Sequence, residues 1–192
     1  MRDVVAWMFI GLNGRGKTTM LKEFIRHYKK AKPRNKVIVF DQNESIDKSL
    51  YTQALNLDNY ERLLTTQRNT LFVIDDYKMI FTQDRPEKFW HTFFGTRRTR
   101  NNDIIFTCHA PSQVMNFLAG YIEEYFLWYT ISATSIDKKI ACASLIMEAK
   151  EHVDKEAKKY TKEEYINLYP NFPYAIIETL DEKITYHNFQ EK

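Results

Sequence analysis

Residues 11–18 read Gly-Leu-Asn-Gly-Arg-Gly-Lys-Thr, and the setting of that octapeptide decides the fold. It fits G-x-x-x-x-G-K-[ST] at every position. Before it, Asp3 to Ile10 (DVVAWMFI) is an apolar, β-prone run that predicts a buried strand. After it, Lys17 to Lys30 carries Met20, Leu21, Phe24 and Tyr28 at helical spacing, with Pro33 beyond as a stop. Strand, glycine turn and helix in this order are the context the motif requires. Glycines permit backbone angles and a close approach that a Cβ would block. Successive N–H groups from Asn13 to Thr18 can then point at phosphate oxygens, aided by the positive end of the helix dipole. Lys17 offers a point charge to the β- and γ-phosphates, and the Thr18 hydroxyl can ligate Mg²⁺. The motif predicts a site for ATP and Mg²⁺ built from Gly11, Leu12, Asn13, Gly14, Arg15, Gly16, Lys17, Thr18 and Thr19.

Outward from the loop, Lys36 to Phe40 (KVIVF), Thr70 to Ile74 (TLFVI) and Asp103 to Cys108 (DIIFTC) read as further buried strands, and Ile122 to Thr130 as a fifth. Helical patterns fall between them at Asp58 to Asn69, Pro86 to Phe94 and Ser112 to Leu118. Short apolar runs without strict alternation, separated by helices, predict a parallel sheet covered on both faces. The fold class is α/β, a P-loop NTPase of the additional-strand, RecA-like type with a mainly parallel sheet. The C-terminal third differs. Thr134 and Asp137 suggest a capped helix whose face is Ile136, Ile140, Ala143 and Met147. That helix turns polar from Glu151 to Tyr160, with Glu151–Lys155 and Asp154–Lys158 spaced as exposed pairs. Pro173 to Phe189 reads as a β-hairpin in which Tyr174 and Ile176 alternate against Ile184 and Tyr186. The expected organisation is one domain, 1–192, with a nucleotide-binding core at 1–132 and the helix and hairpin at 133–192.

The chain has 192 residues, 44% hydrophobic and 28% charged, which excludes disordered and collagen-like classes. Its formal charge of +3 is too small to identify a partner by itself. Two cysteines, Cys108 and Cys142, form neither a metal motif nor a disulfide framework. Cys108 reads as a buried strand residue rather than a nucleophile. No run approaches the roughly 18 apolar residues of a membrane span. A cytosolic protein with no membrane segment is expected. Arg26 to Lys36 (RHYKKAKPRNK) is strongly basic and reads as a solvated helix end and loop, not as a DNA-binding surface.

The second half of the site should be an acid at the end of another buried strand. Leu71-Phe-Val-Ile-Asp75-Asp76 supplies two. Asp75 would hold Mg²⁺ through water, opposite Thr18. Asp76 stands where such enzymes place the acid that polarises attacking water, most often as Glu. A helix cap or a surface turn is the other role open to Asp76.

The phosphate loop, the strand ending in Asp41, the Ile-Asp-Asp run and Arg97-Arg-Thr-Arg-Asn-Asn-Asp-Ile-Ile-Phe-Thr-Cys-His-Ala-Pro-Ser-Gln-Val114 occur in that order. The set resembles the FtsK–HerA superfamily of ring-forming, DNA-pumping ATPases. That superfamily includes small viral genome-packaging ATPases and zonula-occludens-toxin-like phage proteins. The resemblance spans about residues 1–130. It implies that Arg98 is the finger reaching a neighbouring subunit's γ-phosphate, with Arg97 and Arg100 as competitors. It places His109 at the polar sensor position, where the family usually has Gln. For this stretch the residues also allow a solvated helix terminus and a satisfied polar residue at a strand end.

The resemblance implies a motor that hydrolyses ATP and translocates double-stranded DNA through pore-facing loops, packaging a phage or viral genome. Its partners would be a homo-oligomeric ring, a hexamer or else a pentamer, and a capsid or portal vertex protein. Its location would be the host cytoplasm or the virion. Three alternatives remain: an ATPase for filamentous phage assembly or export, a small nucleoside or nucleotide kinase, and a non-catalytic nucleotide switch. Zonula-occludens-toxin-like proteins carry a membrane segment and this sequence shows none, which weakens the first, and the paired acids weaken the last.

Overall fold

In a computed structural model, eight strands and six α-helices follow one another among the described residues. It describes residues 4–12, 14–54, 59–80, 88–130, 136–138, 140, 142–168 and 171–189, with backbone only at 53, 79, 162 and 166. Asn13, Asp3, Asp58, Pro86, Thr134 and the expected boundary at 132/133 lie outside the described residues. The strands are β1 (Ala6–Ile10), β2 (Lys36–Phe40), β3 (Gln53–Ala54), β4 (Thr70–Ile74), β5 (Asn102–Cys108), β6 (Glu124–Trp128), β7 (Tyr174–Glu178) and β8 (Lys183–His187). The helices are α1 (Lys17–Ala31), α2 (Tyr60–Thr66), α3 (Lys88–Arg100), α4 (Asn116–Ala119), α5 (Ala143–Ala157) and α6 (Lys162–Asn167). The chain forms two units, one of residues 1–6 and 20–107, the other of residues 7–19 and 108–192.

In the first unit the strand order is β3-β2-β4-β5, all parallel, with Val37 opposite Leu71 and Leu71 opposite Asp103. Every residue of β4 and β5 is buried, which is why their sequences run apolar without alternation. Leu21, Ile25 and Tyr28 form the buried stripe of α1. Phe89, Trp90, Phe93 and Phe94 of α3 are buried as a group. Phe93 meets Phe72 edge-on at 5.7 Å, and Trp90 lies 6.0 Å from Phe106. The helix runs on to Arg100, six residues past its expected end at Phe94, so the Arg97–Arg100 run forms its last turn. Two-residue β3 was absent from the sequence reading because so short a run carries no periodicity.

The second unit runs β1-β6-β7-β8, parallel across β1–β6 and antiparallel thereafter. The C-terminal hairpin is present, with its faces assigned differently. Ala175 pairs with Tyr186 and Ile177 with Ile184. Ile184 and Tyr186 therefore share a face with buried Ala175 and Ile177, and Tyr174 and Ile176 occupy the other. The expected helix from Thr134 also needs correction. Ile136 and Ile140 are buried, but turn bonds from Ile140 N to Asp137 O and from Ala143 N to Ile140 O precede the helix. Cys142, at φ 64°, then starts α5 in a new register. The buried side of α5 is Ile146, Ala149, Lys150, Val153 and Ala157, a 3.6-residue stripe. Asp154 is not an exposed partner of Lys158. It is buried, pairs with Lys150 and accepts the Thr130 N–H at 3.1 Å. The expected helix over Ser112–Leu118 divides into a 3₁₀ turn at Pro111–Gln113 and the single turn of α4.

One buried carboxylate joins three segments of the first unit. Asp103 is fully buried and accepts from Val5 N at 2.7 Å, Tyr28 Oη at 2.7 Å and Lys32 Nζ at 2.8 Å. Asn35 completes the network by donating to Tyr28 Oη at 2.8 Å. Asp103→Ala leaves those donors without an acceptor and is expected to destabilise the fold by about 3 kcal/mol. Urea unfolding checks it, and a loss under about 1 kcal/mol would contradict the role given to Asp103. Burial, then the Asp103 carboxylate, push the Tyr28 phenol well above the usual tyrosine range. The stability it adds is fully present below the pH where an unfolded tyrosine ionises, about 10, and declines as pH rises beyond it.

Candidate functional site

The glycine loop leaves β1 in the second unit and is fixed at its start by two backbone bonds. Gly11 N donates to Cys108 O at 3.1 Å, and Leu12 N donates to Tyr129 O at 3.3 Å. A Cβ on Gly11 would lie 2.8 Å from Trp128 Cβ, so the ends of β1 and β6 can approach this closely only over glycine. Gly16 has φ +95°, and a Cβ there would sit 2.7 Å from Phe172 Cδ2. Both its backbone conformation and its neighbour require glycine.

Lys17 opens α1 and is only 5% exposed. Thr18 and Thr19 follow, half-buried, in the first turn, where helical N–H groups lack intrahelical acceptors. Leu12, Gly14, Gly16, Lys17, Thr18, Thr19 and Phe172 line a cavity of about 260 Å³. The structure thus brings together all the loop residues expected to bind nucleotide except Asn13, which is not described, and Gly11 and Arg15, which do not line the cavity. Gly11 anchors the loop. The Arg15 guanidinium packs over the rings of Tyr165 at 4.5 Å and Tyr129 at 5.3 Å. Tyr165 in turn stacks on Phe172 at 5.2 Å. Burial pushes the Tyr165 phenol up to about 12, against the opposing pull of Arg15. Consecutive loop residues Arg15 and Gly16 are therefore held by an aromatic pair from the C-terminal part of the chain.

The acids belong to the first unit. Asp75 and Asp76 directly follow β4, and both are half-buried. Thr107 Oγ1, near the end of β5, donates to Asp75 Oδ1 at 2.6 Å and accepts from Asp76 N at 2.8 Å. One hydroxyl thus sets the Asp75 carboxylate and the Asp76 backbone at once. Asp76 sits at φ 48°, ψ 66°, a left-handed conformation that Asp tolerates better than most residues. It precedes a 3₁₀ turn without capping it through its side chain.

Of the arginines, Arg97 is buried, Arg100 is half-buried and Arg98 is exposed on the last turn of α3. That turn leads into the start of β5, whereas Asp75 follows the end of parallel β4. Five strand residues span about 16 Å, so Arg98 and Asp75 lie at opposite ends of the strands. His109 is half-buried just past β5, and its N–H donates to Gln113 Oε1 at 2.7 Å. Asp41 is taken up by its own loop, accepting from Ile46 N at 2.6 Å.

Comparison with known proteins adds the lineage. The model of the Zonular occludens toxin (Zot) family matches residues 10–169. The chain belongs to the Zot family. No curated protein matches its sequence at a comparable level. Among solved structures, this Zot-family chain is similar to the genome packaging NTPase B204 from Sulfolobus turreted icosahedral virus 2. The sulfate complex aligns with a TM-score of 0.70 over 100% of both chains at 17% identity. The complex with ATP-gammaS gives 0.69 over 97% of this chain and 98% of that one, also at 17% identity. Thermomonospora curvata EccC (ATPases 2 and 3), in complex with a signal sequence peptide, aligns at TM-score 0.55 and 10% identity, over 98% of this chain and 37% of that one. At such identities these likenesses establish the fold, an α/β P-loop NTPase fold with a mainly parallel sheet. Among the described residues, no helix is long and apolar enough to cross a membrane.

Thr107, Trp128, Tyr165 and Phe172 escaped the sequence reading. A threonine next to the end of an apolar strand was the one available signal for Thr107. The aromatics carry none, because only folding brings them to the loop. Gly16→Ala should weaken binding of a fluorescent ATP analogue at least tenfold, since left-handed backbone with a Cβ costs about 1–2 kcal/mol before the clash. Thr107→Val should lower ATP turnover at least tenfold while analogue affinity stays within about threefold, because it disturbs the acids and leaves the loop intact. Equal losses in affinity and turnover would contradict that division.

Proposed function

We propose that this chain is an ATP-hydrolysing motor that assembles as a homo-oligomeric ring and translocates double-stranded DNA, packaging a viral or phage genome. The observation carrying this reading is the end-to-end match to a genome packaging NTPase, with neither chain overhanging the other. A glycine loop between β1 and α1 and an acid pair directly after β4 support it. The whole of 1–192 would act as one ATPase domain, in a ring of six or five subunits docked on a capsid or portal vertex, in the host cytoplasm or on the virion.

In this reading the loop N–H groups and Lys17 hold the triphosphate, and Asp76 accepts a proton from the attacking water. An oxygen–phosphorus bond forms at the γ-phosphorus as the bond to the bridging oxygen breaks, releasing ADP and phosphate. The Thr18 hydroxyl and the Asp75 carboxylate are hard oxygen donors of the kind Mg²⁺ takes, and Thr107 fixes one of the Asp75 oxygens. Mg²⁺ when bound would neutralise charge on the β- and γ-phosphates. His109 would stand as the polar sensor, its backbone set by Gln113. Arg98 would act on the neighbouring subunit's nucleotide. Its exposure, and its place at the opposite end of the strands from its own acids, support action in trans.

The Zot match favours one second reading, an ATPase for filamentous phage assembly and export. It would use the same residues on a different cargo.

A mixing experiment tests the shared site. Lys17→Ala and Arg98→Ala chains, each inactive alone, should recover hydrolysis when mixed at equal amounts, since a Lys17→Ala subunit lends its arginine to the intact loop of an Arg98→Ala neighbour. A mixture as inactive as its two components would count against a finger in trans.

A further inference from the structure

Three chain segments that are far apart in sequence meet at one edge of the first unit. Residues 29–36 (KKAKPRNK), 62–70 (RLLTTQRNT) and 96–102 (TRRTRNN) contain ten Lys and Arg and no Asp or Glu, in a chain with 28 basic and 25 acidic residues. They precede β2, β4 and β5, which are parallel, so all three converge where those strands begin. Their backbones are bonded to one another. Lys36 N donates to Asn69 O at 2.9 Å and Asn69 N to Arg100 O at 2.9 Å, and the Asn102 side chain donates from Nδ2 to the Gln67 carbonyl at 3.0 Å. Side chains tie them further, Asn101 Nδ2 to Asn69 Oδ1 at 2.9 Å and Lys36 Nζ to Gln67 Oε1 at 2.8 Å. Asn69 and Asn101 occupy matching left-handed turns, at φ 51° and 55°. The surface is therefore built before any partner arrives. Lys30, Arg34, Lys36 and Arg68 are exposed on it, and Arg100 half-exposed. Of the acids bordering these segments, Asp103 is fully buried and already paired with Lys32, and exposed Glu61 stands in the first turn of α2, one helix length before Arg68.

We infer that this edge binds the phosphate backbone of double-stranded DNA. The inference rests on the motor reading above and gives that motor a DNA-contacting surface other than pore loops. The composition selects the partner. Guanidinium, ammonium and carboxamide groups are the donors that contact phosphate and sugar in a duplex. The described residues of the three segments expose no aromatic ring on which single-stranded bases could stack, and Leu63 and Leu64 are buried. An anionic membrane or a protein partner would call for an apolar anchor, and among the described residues the exposed large apolar side chain is Leu180, in the other unit. The edge lies at the far end of the strands from Asp75 and Asp76, so occupying it leaves the acids clear. Arg26 to Lys36 looked like a solvated helix end because in sequence it stands alone; folding adds Arg68 and Arg100 to it.

The test is the salt dependence of binding. A fluorescein-labelled 30-base-pair duplex is titrated with the full chain, followed by anisotropy, from about 50 to 200 mM salt. The triple variant Lys30→Gln, Arg34→Gln, Arg68→Gln is compared with a control that removes the same charge elsewhere, Lys138→Gln, Lys155→Gln, Lys158→Gln. The edge variant should bind at least tenfold more weakly at 100 mM salt. It should also reduce the slope of log affinity against log salt by about 2 to 3, near 0.9 for each phosphate no longer neutralised. The control should stay within about threefold, and DNA-independent hydrolysis should be unchanged in both. If wild-type chain binds the duplex and the edge variant matches it, or the control falls as far, the inference is overturned while the motor reading stands. If wild-type chain does not bind duplex DNA at all, the motor reading fails and takes the inference with it.

Discussion

The close approach of Trp128 and Phe172 to the glycine loop is the constraint on which the candidate site depends. Two strand ends hold the loop by Gly11 N and Leu12 N, and two aromatic side chains press on it where any Cβ would clash. A loop so held presents its N–H groups in a fixed set, and fixed dipoles avoid reorganising each time a phosphate arrives. The same contacts tie the C-terminal part of the second unit to the loop. Residues 108–192 fold with the loop, and α6 and the stretch before β7 supply Tyr165 and Phe172 against Arg15 and Gly16. The C-terminal part is thus a wall of the candidate nucleotide cavity.

The acids use a different device. They need an exact heading rather than a rigid loop, and the Thr107 hydroxyl supplies it by bonding the Asp75 carboxylate and the Asp76 N–H together. The left-handed backbone at Asp76 is strain of the sort that persists where surrounding bonds over-determine a residue. Both strand ends of the first unit thereby carry candidate groups. The ends of β4 and β5 carry acids and their positioning threonine. The beginnings carry Arg98 and the acid-free basic edge.

Much of this was legible in the sequence, for identifiable reasons. KVIVF and TLFVI became β2 and β4 with the expected limits, because runs buried on both faces leave no ambiguity of period. The glycine loop between β1 and α1 and the acids after β4 were legible as candidates because a glycine-rich turn between strand and helix, and two acids closing an apolar run, are distinctive patterns. What the sequence concealed came from contacts made at long range. Ile136, Ile140, Ala143 and Met147 have helical spacing, yet turns before Cys142 reset the register and moved the buried stripe to Ile146, Ala149 and Val153. The hairpin strands were recognisable, but the pairing of Ile177 with Ile184 put the two alternating sets on opposite faces, a one-residue matter that periodicity alone does not settle. Asp154, expected in solvent, is held inside by Thr130 N–H and Lys150. Phe172 had no local pattern at all, and Thr107 only its place next to the end of an apolar strand.

The central claim, a nucleotide site completed by assembly and coupled to DNA, is tested most directly by steady-state ATP hydrolysis of the full chain across protein concentration, with and without duplex DNA at low salt. The account predicts a specific rate that climbs with protein concentration and climbs again when DNA is added. A rate indifferent to both, but switched on by a nucleoside or nucleotide acceptor, would contradict it and identify a phosphotransferase instead.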